Sequence, residues 1–346
     1  MKNLELLVIA GAAALGLTRT CGAAVHSEPH YRISQTVSLG APDRWDYVTF
    51  DARSHRVFVS HGDRVTVIDG HDGKVLGQIG SFPGGTHGVA ISTATGRGYT
   101  DDGRAGTATS FDLETLATGV AIKAEADADG IALDPATGHV FVVDGDPGKV
   151  TVIDPRSNSV ITTIAGGGKL EFAVAGDDGK VYVNGEEKRE IVRIDTRSNR
   201  VDARWPISNC ARPHGLAIDP TSHRLFSSCA NSLLVVVNTE DGSTVASVPI
   251  GRGTDAAAFD PKRRLIFSSN GIDGTLSVIR EQDANTFVPL DTVKTAVTAR
   301  TMAIDPDTGR LYLAAAQIDT AAPSSPNGRP HLVAGSLKLL MLDPTP

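Results

Sequence analysis

A polar residue, four mostly apolar residues, a tight turn and a second apolar strand recur seven times along the chain. The units start at Asp46, His87, Asp129, Glu171, His214, Asp255 and Arg300, so the intervals are 41, 42, 42, 43, 41 and 45 residues. A period of that length, filled with short strands and turn residues, predicts the blade of a β-propeller. Helical repeats of similar length need sustained 3.6-residue periodicity, and the chain has none.

Each unit continues through a turn such as Asp134-Pro-Ala-Thr-Gly138, Asp219-Pro-Thr-Ser-His223 or Asp305-Pro-Asp-Thr-Gly309. Proline presets one turn position and glycine suits the left-handed one. A second strand with an aromatic or glycine-aromatic centre follows: Val57-Phe-Val, Gly98-Tyr-Thr, Val140-Phe-Val, Val181-Tyr-Val, Leu225-Phe-Ser, Ile266-Phe-Ser and Leu311-Tyr-Leu. The shared aromatic is expected between adjacent blades. A third strand, typified by Val65-Thr-Val-Ile-Asp69, and a fourth, typified by Lys74-Val-Leu-Gly-Gln-Ile79, complete the unit. The predicted fold is therefore all-β, a seven-bladed β-propeller of four-stranded antiparallel blades. The last unit stops after a third strand at Leu337 to Leu342, and Ile33 to Leu39 is the expected fourth. An N-terminal strand completing the last blade closes the ring and removes an open edge.

Trp45-Asp46-Tyr47, Thr86-His87-Gly88, Arg97-Gly98-Tyr99, Glu171-Phe-Ala-Val-Ala175, Lys180-Val-Tyr-Val-Asn184, Ala256-Ala-Ala-Phe-Asp260 and Phe267-Ser-Ser-Asn270-Gly271 carry a resemblance to the YVTN-type, YncE-like family of bacterial propellers. It spans about residues 31 to 346. The resemblance implies the scaffold and leaves function to be argued from the site, because one fold hosts many activities.

The first 24 residues read as a signal peptide: Lys2, an apolar stretch from Leu4 to Leu17 interrupted by Glu5, then the small residues Gly22-Ala23-Ala24. Residues 25–346 form one expected domain, with a loop insertion at about 319–335. The protein is thus expected to be periplasmic or secreted. A lipid anchor at Cys21 is the rival, although Thr18-Arg19-Thr20 fits such a site poorly. No other stretch is apolar for long enough to span a membrane. Loss of the signal leaves Cys210 and Cys229, an even count that predicts a disulfide in an exported protein. With no CxxCH there is no attachment site for a c-type haem. No P-loop, dinucleotide-binding glycine motif or serine elbow has the right context, which excludes a bound nucleotide. The net charge of -7 and the lack of a basic stripe argue against nucleic acid as a partner.

Successive inner strands of a propeller run the same way around its axis, so the first residue of each unit falls on one rim. That ring is Asp46, His87, Asp129, Glu171, His214, Asp255 and Arg300. His87, Asp129, Glu171 and His214 are the candidate ligands of a divalent metal ion, and His87 and His214 the candidate acid–base residues. Trp45, Asp46, His61, Asp129, Glu171, Asp255, Asn270 and Arg300 are the candidate ligand-binding rim, with Asp101, Asp102, Asp144, Asn184, Glu186 and Gln317 as outer contributors. Arg300 suits either a ligand carboxylate or a pairing with Asp46 across the closing blade. Structural roles compete at every position, since Asp before Gly is also good turn chemistry. Three classes of function fit. The first is binding of a small ligand, metal ion or protein partner at the channel mouth. The second is a metal-assisted lyase or hydrolase in the same funnel, and the third a scaffold subunit of a periplasmic electron-transfer enzyme.

Overall fold

The computed structural model describes Met1, residues 30–322 and residues 330–345. The expected signal peptide with Cys21, residues 323–329 of the loop insertion and Pro346 lie outside the described residues. Seven four-stranded antiparallel sheets follow one another around a ring. In the first, Val48–Asp51 is innermost, followed outward by Arg56–His61, Arg64–Asp69 and Val75–Ile79. The seventh is built from Thr301–Ile304, Leu311–Ala315, Lys338–Thr345 and, outermost, His30–Ser38. The N-terminal strand pairs antiparallel with the C-terminal one, Tyr31 opposite Pro344 and Ser38 opposite Lys338, and so closes the ring. Both closing strands run to slightly different ends than their apolar cores suggest, because hydrogen bonding continues through the polar His30 and Thr345.

The middle strands carry apolar residues on both pleat faces, as they must when each blade is covered on both sides. Val57, Phe58 and Val59, for example, are all buried. Among the described residues, a separate apolar cluster fills each of the seven blade interfaces. The second-strand aromatics anchor them, as expected. Phe226 meets Phe259 of the next blade with ring centroids 5.4 Å apart, and Tyr31 of the closing strand stands edge-on to Phe267 at 5.1 Å. Tyr99 donates to Asn158 across its interface at 2.6 Å, and Tyr312 to the Gly70 carbonyl at 2.9 Å. The turns follow their sequences. The Asp134 carboxylate caps the amides of Ala136 and Thr137, and Gly138 takes φ 74°. At the matching place His223 takes φ 58°, a conformation for which histidine carries a modest steric cost.

Cys210 and Cys229 form the expected disulfide, with Cα atoms 5.4 Å apart and both residues fully buried. It ties the loop before the inner strand of blade five to the end of its neighbour. Their separation of 19 residues corresponds to about 3 kcal/mol in the loop-entropy picture. Replacing both cysteines by serine is expected to cost about that much in chemical denaturation, with the reduced wild type losing a similar amount.

Candidate functional site

All seven ring positions stand at the inner end of their blades. Asp46, His87 and Arg300 precede their inner strands, whereas Asp129, Glu171, His214 and Asp255 fall inside theirs. Each of those four sits at a register shift: between Ala128 and Ile131, Leu170 and Ala173, Pro213 and Leu216, and Thr254 and Ala257. A bulge releases a residue from the pleat and re-aims its side chain, here toward the axis. Immediately below the ring, Tyr47 of blade one and Phe172 of blade four meet edge-to-face with centroids 4.7 Å apart. Blades one and four lie on opposite sides, so this pair floors the funnel. A cavity of only about 40 Å³ lies beneath it, lined in part by Thr49, Val89 and Ile131.

The ring residues are divided into linked pairs. His87 Nδ1 lies 2.6 Å from Oδ2 of the fully buried Asp101, whose other oxygen accepts the backbone amides of His87 and Gly88, each at 2.9 Å. Burial opposes the charged imidazolium, but the hydrogen bond and charge of Asp101, with Asp129 and Asp46 nearby, push His87 up to about 10. Burial also holds the Asp101 carboxyl above its ordinary range despite that partner. His214 Nδ1 is 3.2 Å from Asp255 Oδ1, and Arg300 Nε donates to Asp255 Oδ2 at 2.6 Å. His214 is raised against its burial by Asp255, and Asp255 is lowered against its burial by His214 and Arg300. Arg300 also donates to the Trp45 carbonyl at 3.1 Å and lies over the Trp45 ring, 5.1 Å from its centroid. Its distance of 3.8 Å from Asp46 is an ion-pair distance, so Arg300 is held chiefly by Asp255 and Trp45. Burial, only partly offset by Arg300 and His87, lifts Asp46 to about 6.

The acids between these groups are less well matched. Asp129 is half-buried and makes no hydrogen bond or ion pair among the described residues. Burial and the charge of Asp46 raise it well above the carboxylate range. Glu171 is lifted to about 9 by burial, Asp129 and the neighbouring Glu186. Its ion-pair partner among the described residues, Lys169, stands 3.5 Å away and lies closer to Glu186, at 3.1 Å. Glu186 also accepts from Arg212 at 2.5 Å and is held at about 2, its own burial overcome by Glu171, Arg212 and Lys169.

Several expected rim residues do not reach the funnel. His61 is fully buried, its ring nitrogens engaged by Thr66 at 2.8 Å and the Pro42 carbonyl at 2.6 Å. Asn270 is also fully buried and donates to Thr275 and Ser277 inside blade six. Both end a second strand running back toward the rim, but their side chains bond within their own blade's loops and third strand instead. Asn184 spans to the carbonyls of His214 and Gly215, which makes it a support for the next blade's inner strand. Asp102 and Asp144 cap loop amides at Gly84 and Glu125. Gln317 remains exposed on the stem of the insertion, where Val333 donates to its carbonyl at 2.8 Å. The proposed metal set is not gathered either: among the described residues no three His, Cys, Asp or Glu are placed to hold a metal ion. His87 is occupied by Asp101 of its own blade and His214 by Asp255 of the next blade. Lys169, Arg212, Tyr47 and Phe172 are not among the site residues that the register singles out, although Tyr47 and Phe172 belong to the motifs that carry the resemblance. The aromatic pair was accessible in the sequence, since the residue after the ring position is Gly88, Gly130, Gly215, Ala256 or Thr301 in the other blades.

Residues 58–204 match a domain of unknown function, DUF5074. No functionally curated protein matches the chain. Among solved structures it is similar to a chain of a mitotic checkpoint complex, with TM-score 0.74 and 16% identity over 99% of this chain and 98% of that one. It is also similar to a chain of Kuenenia stuttgartiensis hydrazine synthase, with TM-score 0.69 and 14% identity over 84% and 96% of the two chains. The WD40 repeats of RRP9 give TM-score 0.75 and 11% identity over 91% and 100%. These likenesses establish the scaffold alone. Among the described residues, no helix is long and apolar enough to cross a membrane.

Proposed function

We propose that the chain is an exported, non-catalytic binding module of the YVTN propeller type whose funnel takes a small organic cation at Asp129 and Glu171. The observation that carries this reading is the unmatched charge of that pair. Every other ring residue has an ion-pair partner of opposite sign, whereas Asp129 feels the charge of His87 without any ion pair or hydrogen bond among the described residues, and Glu171 shares Lys169 with Glu186. An ammonium group would let both carboxyls ionise in a desolvated site, where a charge pair is stronger than in water. The Tyr47 and Phe172 floor suits the apolar portion of such a ligand. Binding is favoured over catalysis because His87, held at about 10, is protonated at neutral pH and is a poor general base. The disulfide supports the exported location.

Thermal unfolding with cadaverine, and separately with Ca²⁺, Mn²⁺ and Zn²⁺, tests the reading. Cadaverine at a hundred times its dissociation constant is expected to add about 2.7 kcal/mol, and so to raise the midpoint by about 5 °C. A shift produced by a metal ion alone, or by none of these cations, contradicts it.

A further inference from the structure

A second cavity opens beside the ring. It has a volume of about 200 Å³ and lies between the loops of blades one and two, bordered by Asp46 and His87 of the ring and by Arg44, Trp45, Asp63 and Arg104. Its charge balance is the reverse of the funnel's. Arg44 and Arg104 are exposed and have no ion pair among the described residues. Asp63 is matched at 2.7 Å by Arg64, which is not part of the lining. His87 uses Nδ1 on Asp101 and leaves Nε2 without a partner among the described residues. Trp45 is buried in the same wall, and its indole N–H has no hydrogen-bond partner among the described residues. The cleft therefore collects guanidinium and imidazole donors around one space, with Asp46, ion-paired to Arg300, as the ring acid that borders it.

We infer that this cleft receives the anionic end of the funnel's ligand, which makes that ligand a small zwitterion with an ammonium group toward Asp129 and Glu171 and a carboxylate toward His87, Arg44 and Arg104. The assignment of the ammonium end rests on the cation-binding reading of the funnel. Two arginines and a histidine suit a carboxylate because guanidinium and imidazole N–H groups donate charge-assisted hydrogen bonds in directions that match its two oxygens. His87 joins the two halves, since it belongs to the ring and to the cleft wall alike. Trp45, under the Arg300 guanidinium, lends the junction an aromatic surface.

Isothermal titration calorimetry with two probes of one skeleton, cadaverine and lysine, tests this on the wild type, on an Arg44→Ala/Arg104→Ala double variant and on Asp129→Asn. A funnel that reads positive charge alone favours the dication cadaverine. The cleft instead predicts lysine to bind at least about tenfold more tightly, the effect of one good charge-assisted contact. In the double variant the ratio of the two affinities is expected to fall to about one or below. Equal affinities in the wild type, or a lysine preference that survives the double variant, overturn the inference. In either of those cases cadaverine binding that is lost in Asp129→Asn leaves the acid-funnel reading standing. Lysine binding without cadaverine binding, lost in the double variant, supports the cleft and overturns the funnel reading. Binding of neither probe overturns both.

Discussion

Asp129→Asn is expected to weaken cadaverine binding by at least about thirtyfold while leaving the empty protein as stable as the wild type or slightly more so. Truncating one partner of a desolvated charge pair typically costs about 2 kcal/mol or more, which sets the lower bound on the loss. The stability half follows from the position of Asp129. Burial and the charge of Asp46 disfavour its carboxylate more than the charge of His87 favours it, and no hydrogen-bond donor among the described residues compensates. A neutral amide of the same shape removes that penalty without removing a contact. Calorimetry gives the affinity and urea denaturation the stability. An affinity unchanged by the substitution, or a large fall in stability, would show that Asp129 is a structural residue.

Asp101→Ala should behave in the opposite way and destabilise the fold by about 3–5 kcal/mol. Asp101 is fully buried and accepts from His87 Nδ1 and from two backbone amides. Its removal strands those amides and leaves the His87 charge without its closest partner, which are two of the costly ways to alter an interior. Asp101→Asn keeps an acceptor for the amides and is expected to cost less, while the His87 pKa falls toward its ordinary value. The pH dependence has a definite sign. His87 has a folded pKa of about 10, above the unfolded value near 6.5, so its contribution is complete below pH 6.5 and is lost as pH rises toward 10. Nuclear magnetic resonance of the His87 ring in wild type and Asp101→Asn measures the shift directly. A His87 that titrates near 6.5 in the wild type would contradict the pairing.

The blade repeat was legible because it depends on local rules applied seven times. Alternation and turn residues such as Asp134 and Gly138 fix each blade, and Tyr31 and Tyr312 reach across interfaces that the period requires. The ring positions were legible for the same reason, since register determines which residue begins each inner strand. What each residue does there was not. Asp101 and His87 lie 14 residues apart in one blade, but whether the carboxylate turns toward the histidine or the solvent depends on the loop between them. His61 and Asn270 satisfy the register rule and still point into protein, because hydroxyls of the adjacent third strand, and for His61 the Pro42 carbonyl, engage them away from the axis. The bulges at Asp129, Glu171, His214 and Asp255 lack a signature in a single sequence. The cleft at Arg44 and Arg104 is assembled from loops of two blades, which have no shared period to reveal them.

The central claim is that the funnel holds raised carboxyls, with Glu171 protonated at neutral pH, and that a bound cation ionises them. Glu171, lifted to about 9 by burial and by Asp129, carries a proton at neutral pH that an ammonium group would displace, and burial pushes Asp129 in the same direction. By linkage, each proton released strengthens binding by up to about tenfold per pH unit while the ligand stays charged. Titrating cadaverine at pH 7.5 in two buffers of different ionisation enthalpy counts those protons. The account predicts net proton release by the wild type that is reduced in Asp129→Asn. Tight binding with no proton exchange, or no binding at all, would contradict it.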